Sequence, residues 1–322
     1  MKPVVLYLDK ISAPMERLAL ETFSDGARLK FLNPSVGEKG ELEEAQYVLA
    51  TNFLVTKEVI DTAGQLKMIQ RTGVGYDNVD VAYAASKGIP VSITLGTNAG
   101  SVAELVVLYM LALYRKLVVL DRQSKTGVWD SWKYRHESFE LQGKTIGIIG
   151  MGTIGKELVK RLKPFGVSFA YYDAFRLRPE QEAELGIEYR TMNDVLATGD
   201  IVSIHVPWNE STRGLIGAAE IARMKPSAIL INTARGPIVD EKALVAAIKS
   251  GALAGAGLDV FDPEPFTADS DVLKFDTILT TPHVGAATLD NFARVFTFCA
   301  ANIRRMENGQ TPENIVSAKK AD

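Results

Sequence analysis

The chain has 322 residues, more than a single hydrophobic core usually serves, so we expect two domains. Apolar residues make up 47% of it and charged residues 23%, as in a globular protein, and the net charge of −3 excludes a broad positive field that would attract nucleic acid or a membrane surface. Cys299 is the only cysteine, so no disulfide can form within the chain and a cytoplasmic setting is expected. The apolar run at residues 4–8 is too short for a secretory signal.

Short apolar runs separated by helix-like segments continue along the whole sequence. These runs predict strands at residues 4–8, 47–50, 67–70, 90–93, 145–149, 167–172, 201–206, 228–231, 256–260 and 277–280. Runs that are apolar throughout are typical of strands buried on both faces of a parallel sheet. The sequence therefore predicts an α/β fold assembled from βαβ units.

The most apolar stretch of the sequence lies at residues 102–120. A membrane span there would place Glu104, Arg115 and Lys116 in or beside hydrocarbon, at roughly 3 kcal/mol for each charge. We therefore interpret the stretch as one long buried helix, and we expect no contact with a membrane.

The division into domains follows from an interruption in this pattern. Residues 96–101, with the sequence GTNAGS, break the alternation of strands and helices just before the long apolar stretch. We place one domain at residues 1–98 and a second at residues 99–288. The segment 289–322 continues as a helix and is expected to return to the first domain.

A glycine pattern follows the strand predicted at residues 145–149. Gly150, Gly152 and Gly155 form Gly-x-Gly-x-x-Gly, and an amphipathic helix pattern comes next. This context makes the glycines a dinucleotide-binding fingerprint: the first permits a tight turn, the second lets a pyrophosphate approach the backbone, and the third lets the helix pack on the strand. The helix N-terminus would then attract the phosphates.

An acidic residue ends the next predicted strand. Asp173 lies 18 residues after Gly155, where a carboxylate would bind the adenosine ribose hydroxyls and repel a 2′-phosphate. NAD is therefore expected in preference to NADP. The alternative, a solvated Asp173 without this role, stays open because Arg176 and Arg178 follow closely.

Three polar side chains each follow a different predicted strand of the second domain. His283 could donate a proton near neutral pH, Glu264 lies between two prolines that would hold its loop rigid, and Arg235 could grip a carboxylate with its two-pronged guanidinium. Each has a structural alternative: a packed histidine, a turn or a surface arginine. Beside a dinucleotide fingerprint, their joint placement indicates an acid/base, a carboxylate that tunes it and a substrate grip.

The other two histidines give weaker signals. His205 also ends a predicted strand, where it could line a cofactor groove or be a packed histidine, and His136 lies in an irregular charged segment. The three histidines and the single cysteine show no metal-ligand spacing, so no metal is expected.

Several long motifs in a fixed order resemble the D-2-hydroxyacid dehydrogenase family. They are residues 143–155 (GKTIGIIGMGTIG), 231–241 (INTARGPIVDE), 255–261 (GAGLDVF) and 281–287 (TPHVGAA). The resemblance covers nearly the whole chain and includes Asn98, Val102 and Glu104 of the family pattern Asn-x-x-x-Val-Ala-Glu. It implies a Rossmann-type doubly wound parallel sheet, a flavodoxin-like substrate domain completed by the C-terminal helix, and a homodimer formed through the nucleotide-binding domain.

The resemblance also implies the roles of individual residues. Arg235, Glu264 and His283 would be the catalytic trio, and Asp259 would bind the nicotinamide carboxamide. The backbone at residues 73–75 would bind the substrate carboxylate. The expected NAD contacts are Gly150, Gly152, Thr153, Ile154, Gly155, Asp173, His205, Pro207, Thr212, Ala234 and Asp259, and the expected substrate contacts are Gly73, Val74, Gly75, Arg235 and His283.

Departures from the family bear on the substrate. Phosphoglycerate dehydrogenases commonly carry an arginine for the substrate phosphate where this chain has Ala50 and Thr51, and Trp208 replaces a commoner aliphatic residue. An alternative stays open, since Arg71 or a residue of the irregular segment 126–140 could replace the missing charge. Because the sequence ends at Asp322, we expect no regulatory domain of the kind that some phosphoglycerate dehydrogenases carry.

We therefore predict an NAD-dependent enzyme that moves a hydride between nicotinamide and C2 of a small, unphosphorylated D-2-hydroxy or 2-keto acid. Two alternatives remain open from the sequence alone. One is a non-catalytic, NAD-sensing binding protein of the corepressor kind, and the other is an enzyme acting on an oxyanion such as phosphite.

Overall fold

The described residues of the computed structural model are 2–32 and 38–317. The chain divides into two compact units: unit 1 is Met1–Asn98 with Ala287–Asp322, and unit 2 is Ala99–Ala286. Each contains its own sheet, buried between helices. Within the described ranges, no helix is long and apolar enough to cross a membrane.

Unit 1 is a six-stranded sheet in the order β13-β5-β4-β3-β1-β2. Its strands are β1 (Val4–Tyr7), β2 (Arg28–Phe31), β3 (Tyr47–Ala50), β4 (Met68–Arg71), β5 (Val91–Ser92) and β13 (Ile315–Val316). All pair in parallel except β13, which runs antiparallel to β5. The parallel part has the strand order of flavodoxin-like folds, which reverses direction between β1 and β3.

Helices cover both faces of the unit 1 sheet. They are α1 (Ala13–Phe23), α2 (Glu38–Glu44), α3 (Lys57–Thr62), α4 (Val81–Ser86) and α12 (Leu289–Glu307). Apolar residues of α1 and α12 pack on one face, and those of α2, α3 and α4 pack on the other. A buried amide network fixes α12 to the sheet: Asn302 Nδ2 donates to Gln70 Oε1 at 2.9 Å and to Ser92 Oγ at 2.9 Å.

Unit 2 is a seven-stranded parallel sheet in the order β12-β11-β10-β9-β6-β7-β8. Its strands are β6 (Thr145–Ile149), β7 (Ser168–Tyr172), β8 (Glu188–Tyr189), β9 (Ile201–Ile204), β10 (Ile229–Asn232), β11 (Gly255–Leu258) and β12 (Ile278–Thr280). This is the order of dinucleotide-binding folds, with one further strand at the β12 edge and a reversal between β6 and β9. The α/β fold expected from the sequence is thus confirmed.

The helices of unit 2 also lie on both faces. They are α5 (Ala99–Tyr114), α6 (Leu117–Lys125), α7 (Thr153–Leu162), α8 (Pro179–Leu185), α9 (Met192–Thr198), α10 (Ala218–Ile221) and α11 (Glu241–Ser250). Apolar residues of α5 and α7 pack on one face, and those of α9, α10 and α11 pack on the other.

The single long helix predicted at residues 102–120 is wrong. The chain forms α5 and α6 instead, separated where Lys116 takes a left-handed backbone conformation with φ of 53°. A helix cannot continue through such a residue. The expected burial holds for much of α5, whereas none of the nine residues of α6, all of them described, is buried.

Every predicted strand is present, with ends shifted by no more than two residues. The sequence missed β2, β8 and β13. β2 has the mixed sequence RLKF, and β8 and β13 are two-residue edge strands, so none of them presents an apolar run.

Candidate active site

Three neighbouring strands of unit 2 deliver the predicted catalytic side chains. β10, β11 and β12 lie side by side and run parallel. Arg235 follows β10, Glu264 follows β11 and His283 follows β12, so all three come from loops at the carboxyl edge of the sheet. Open α/β sheets bind their ligands at this edge.

His283 and Glu264 form a hydrogen-bonded pair. Nδ1 of His283 lies 2.7 Å from Oε2 of Glu264, and Oε1 of Glu264 accepts the Phe261 backbone N–H at 2.9 Å. The side chains are 44% and 34% exposed, so the pair is open to a ligand. With Nδ1 bound to the carboxylate, Nε2 is the ring nitrogen that can exchange a proton with a substrate.

The ionisation of Glu264 follows from its surroundings. Partial burial by itself would raise the pKa of Glu264, but the hydrogen bonds from His283 and Phe261 and the positive charges of His283 and Arg235 outweigh it, so the pKa lies below the usual value. The carboxylate therefore stays ionised at neutral pH and can stabilise an imidazolium. This stabilisation disappears only as the pH falls through the lowered pKa of Glu264.

Backbone packing fixes the Arg235 loop. The buried Asn232 side chain accepts the Ala234 N–H at 3.0 Å and donates to the Arg235 carbonyl at 2.9 Å. Nη1 of Arg235 donates to the Ala234 carbonyl at 2.7 Å. A Cβ at position 236 would come within 2.0 Å of the Phe261 carbonyl oxygen, so only Gly236 lets this loop pack on the loop that carries Glu264.

A buried carboxylate holds the His283 loop. Asp259 is 1% exposed, and its two oxygens accept the backbone N–H groups of Val284 and Gly285, each at 2.8 Å. Its carbonyl accepts the His283 N–H at 2.8 Å. His283 has a left-handed φ of 52°, which costs a non-glycine residue roughly 1–2 kcal/mol. Asp259 therefore keeps the histidine in a conformation that it would otherwise avoid.

Two further side chains complete this support, and sequence reasoning missed both. The Thr281 hydroxyl donates to Asp259, and the Tyr109 hydroxyl contacts Thr281 and donates to the Leu258 carbonyl at 2.9 Å. The only sequence signal for them was the TPHVG motif itself, which gives no partner for Thr281. For Asp259 the resemblance implied a nicotinamide contact, which stays a prediction. The structure adds its role in fixing the histidine loop.

The glycine loop has the geometry that a dinucleotide needs. Gly150 has a left-handed φ of 99°, and a Cβ there would come within 2.6 Å of the His205 backbone carbon. A Cβ on Gly155 would lie 2.6 Å from the Gly150 carbonyl oxygen, whereas around Gly152 no described atom comes within 4 Å of that position. Gly152 is the N-cap of α7 and has no side chain to cap the first N–H groups. An open helix N-terminus of this kind fits a diphosphate.

Asp173 lies directly against this loop. Its Oδ2 accepts the Met151 N–H at 2.7 Å, and its Oδ1 accepts the Phe175 N–H at 2.8 Å. Its position at the carboxyl end of β7, beside the glycine turn, is where a ribose-binding acid belongs in this fold.

Of the other predicted residues of unit 2, His205, Pro207 and Thr212 follow β9, and His136 lies on the surface. His205 Nε2 lies 2.9 Å from the Ser203 hydroxyl, and burial lowers the pKa of His205 to about 4, so its ring is neutral near pH 7. The Thr212 hydroxyl donates to the Pro207 carbonyl at 2.9 Å. His136 is exposed, 3.2 Å from Glu137. Among residues 2–32 and 38–317, no group of three or more His, Cys, Asp or Glu side chains could hold a metal ion.

The predicted carboxylate-binding loop belongs to unit 1. Residues 73–75 are half-exposed and follow β4. The buried Arg71 holds them: its Nε donates to the Gly75 carbonyl at 2.8 Å, and its Nη1 donates to the carbonyls of Ala50, at 2.7 Å, and Thr51. The Asp9 carboxylate accepts the N–H groups of residues 51–53 at 2.6–3.0 Å. The sequence did not anticipate that this arginine would bind its own backbone.

Unit 2 combines a glycine loop and an open helix N-terminus with a histidine–carboxylate pair and an arginine on one edge of its sheet. This combination is typical of a nicotinamide-dependent dehydrogenase. Residues 107–285 match the family model described as "D-isomer specific 2-hydroxyacid dehydrogenase, NAD binding domain". The chain belongs to the D-isomer specific 2-hydroxyacid dehydrogenase family.

Individual relatives agree with this assignment. The chain is 39% identical over 285 residues to a glyoxylate reductase of Thermococcus litoralis, covering 86% of each protein. It is 38% identical over 296 residues to a hydroxypyruvate reductase of Thermotoga maritima, covering 90% of this chain and 94% of the relative. Among solved structures, the NAD-dependent formate dehydrogenase of Staphylococcus aureus in complex with NAD matches with a TM-score of 0.83 and 30% identity, over 99% of both chains. The protein is thus an NAD-dependent oxidoreductase of 2-hydroxy and 2-keto acids.

Proposed function

We propose that this enzyme reduces small, unphosphorylated 2-keto acids to D-2-hydroxy acids, with His283 as the acid/base, Glu264 as its partner and Arg235 as the substrate grip. The observation that carries the proposal is the 2.7 Å contact between His283 and Glu264 on the edge that also presents Arg235. Unit 2 would bind NAD, and unit 1 would be the substrate domain. The expected setting is cytoplasmic.

The mechanism assigns a task to each side chain. Bound NADH supplies a hydride to the carbonyl carbon C2 when the acid is reduced. Nε2 of protonated His283 gives its proton to the carbonyl oxygen, and ionised Glu264 stabilises the imidazolium and orients the ring. Arg235 binds the carboxylate or polarises the carbonyl, where negative charge develops. The N–H groups of Val74 and Gly75 hold the substrate carboxylate.

The residues of unit 2 fit the cofactor in the same proposal. The loop from Gly150 to Gly155 would hold the diphosphate, with the N–H groups of Thr153 and Ile154 at the start of α7 facing it. The Asp173 carboxylate would bind the ribose hydroxyls, so NADPH is used much less well than NADH. Further contacts would come from His205, Pro207, Thr212, Ala234 and Asp259.

The charges around the loop at residues 73–75 support a preference for unphosphorylated acids as substrates. The end of β3 carries Ala50 in place of an arginine, and the nearby Arg71 guanidinium already binds three backbone carbonyls. The nearby carboxylate of Asp9 adds negative charge rather than positive. The relatives named above as glyoxylate and hydroxypyruvate reductases fit this preference.

A substrate panel tests the proposal. With NADH, we expect a higher kcat/KM for glyoxylate or hydroxypyruvate than for 3-phosphohydroxypyruvate, because a terminal phosphate finds no arginine at position 50. The substrate assignment is wrong if the phosphorylated acid is better than every unphosphorylated one for the wild-type enzyme.

The pH dependence tests the histidine–carboxylate pair. Glu264→Gln keeps the shape of the side chain but removes a charge that stabilises the imidazolium at every pH above the lowered pKa of Glu264. The alkaline limb of the reductive kcat/KM profile should therefore move to lower pH.

Glu241→Gln is the matched control for this experiment. Glu241 is also half-buried and accepts the Asp262 N–H on the same loop, at 3.1 Å, but it does not contact His283. Its variant should keep the wild-type profile. Superimposable alkaline limbs for wild type and Glu264→Gln would show that Glu264 does not act on His283.

Exposed apolar side chains support a homodimer formed through unit 2. They lie on α5, on α6 and in the loop that follows: Leu108, Leu111, Leu117, Val118, Val128, Trp129 and Trp132. Trp129 is 91% exposed and Trp132 is 71% exposed, which is unusual for tryptophan on a surface that binds no partner.

We expect the mass in solution, measured by sedimentation, to be that of two chains. The double variant Trp129→Ser and Trp132→Ser should shift this mass toward that of one chain. A monomeric wild-type protein would contradict the dimer.

A further inference from the structure

The loop that follows the ribose-binding acid contains an arginine with an unusual set of contacts. Nε and Nη2 of Arg176 donate to the two carboxylate oxygens of Glu182, both at 2.9 Å, which fills the guanidinium fork with one carboxylate. The same guanidinium lies 4.8 Å above the ring of Tyr189 on the edge strand β8. Arg176 is thus fixed on two sides, although its side chain is 56% exposed.

Glu182 is bound more deeply than its partner. Its side chain is only 11% exposed, and its Oε1 also accepts the buried Tyr171 hydroxyl at 2.6 Å. The hydrogen bonds from Arg176 and Tyr171 lower the pKa of Glu182 to about 2, so the carboxylate stays charged throughout the pH range of an assay. Moving Arg176 away would leave a largely buried carboxylate with one hydroxyl donor, which is unfavourable.

The loop is short and folded back on the sheet. Asp173 accepts the Phe175 N–H at 2.8 Å, and the Tyr171 hydroxyl accepts the Leu177 N–H at 3.0 Å. Arg176 therefore starts from a backbone position three residues from the carboxylate that meets the ribose. In dinucleotide-binding folds an arginine near this position accommodates a 2′-phosphate, which binds a guanidinium through the same two-pronged contact.

We propose that Glu182 is a second determinant of cofactor specificity: it withholds the Arg176 guanidinium from a 2′-phosphate and so reinforces the selection of NAD over NADP. The inference rests on the role proposed above for Asp173. Asp173 repels the 2′-phosphate, and Glu182 removes the nearest arginine that could attract it. Arg178, the next cation along the loop, is exposed, and among the described residues its guanidinium hydrogen-bonds only the neutral Gln181.

A set of variants separates these effects, with kcat/KM for NADPH and NADH measured on one 2-keto acid. Asp173→Ser should raise the NADPH to NADH ratio. Adding Glu182→Gln should raise kcat/KM for NADPH by about tenfold beyond the product of the two single changes, since the released guanidinium then meets the phosphate. Adding Arg176→Gln as a third change should return NADPH use to the level of Asp173→Ser alone.

Two further measurements serve as controls. The first tests whether any loss of negative charge near the loop has the same effect, and the second covers the case in which the Glu182 variant does not fold. Glu188→Gln removes an equal charge from β8, where Glu188 pairs with Arg190 at 2.7 Å, and it should leave the ratio unchanged. If Glu182→Gln does not fold, Arg176→Gln in the Asp173→Ser background decides the question with Glu182 intact. There NADPH use should not change, because Glu182 already holds the guanidinium, and a fall in kcat/KM for NADPH would overturn the proposal.

The proposal is also overturned if the combined variant only reaches the product of the single effects, or if its gain survives the removal of Arg176. An unchanged ratio in Asp173→Ser overturns the role of Asp173 and this proposal with it. None of these results affects the proposed reaction, since NADH oxidation by the wild-type enzyme with the same keto acid tests that separately.

Discussion

His283→Ala should lower kcat for reduction of a 2-keto acid by about 10²–10⁴-fold, because the developing alkoxide loses its proton donor. His283 is the histidine that follows β12 at the sheet edge, and its Nδ1 lies 2.7 Å from Oε2 of Glu264. The two other histidines cannot replace it: His205 is neutral because burial lowers its pKa to about 4, and His136 is exposed in another segment.

His136→Ala is the matched control, and it should keep wild-type turnover. The affinity of His283→Ala for NADH, measured by titration of the cofactor fluorescence, should remain close to wild type, since the diphosphate and ribose contacts are unchanged. If His283→Ala keeps a kcat within a few-fold of wild type, His283 is not the proton donor.

Arg235→Ala should lower kcat by about 10²–10³-fold, and it should also raise KM for the keto acid. The guanidinium would bind the substrate carboxylate in the ground state and act on the oxygen charge that develops during reduction, so both constants depend on it. Asn232 and Gly236 fix the Arg235 loop, and Arg235→Ala leaves these backbone contacts in place.

Arg235→Lys separates charge from geometry. A lysine keeps the positive charge but cannot form two parallel hydrogen bonds, so it should recover only part of the lost kcat/KM. A variant in which KM rises and kcat stays at the wild-type level would restrict Arg235 to binding and exclude a role on developing charge.

The sequence predicted features whose signal is local. Continuous apolar runs identified the buried parallel strands, because both faces of such strands are covered. The dinucleotide-binding fingerprint could be recognised at Gly150, Gly152 and Gly155, because their spacing follows from a strand, a turn and a helix N-terminus. Arg235, Glu264 and His283 each follow a strand, and parallel strands bring their carboxyl ends to one edge, where the structure places all three. Their catalytic roles remain predictions.

The sequence could not predict contacts between segments far apart in the chain. Tyr109 supports Thr281 across 172 residues, and no local pattern connects them. The break at Lys116 is a backbone conformation that an apolar run does not reveal. Arg176 could equally well have been available to a phosphate, and only the structure shows its two hydrogen bonds to Glu182.

In the proposed reaction, the chain transfers a hydride from NADH to C2 of a small keto acid and forms the D isomer. The most direct test is to incubate the purified protein with NADH and hydroxypyruvate, follow the loss of NADH absorbance, and resolve the glycerate formed on a chiral column. We expect one molecule of D-glycerate for each NADH consumed. Formation of the L isomer, or no loss of NADH with hydroxypyruvate, glyoxylate or any other 2-keto acid tried, would contradict it.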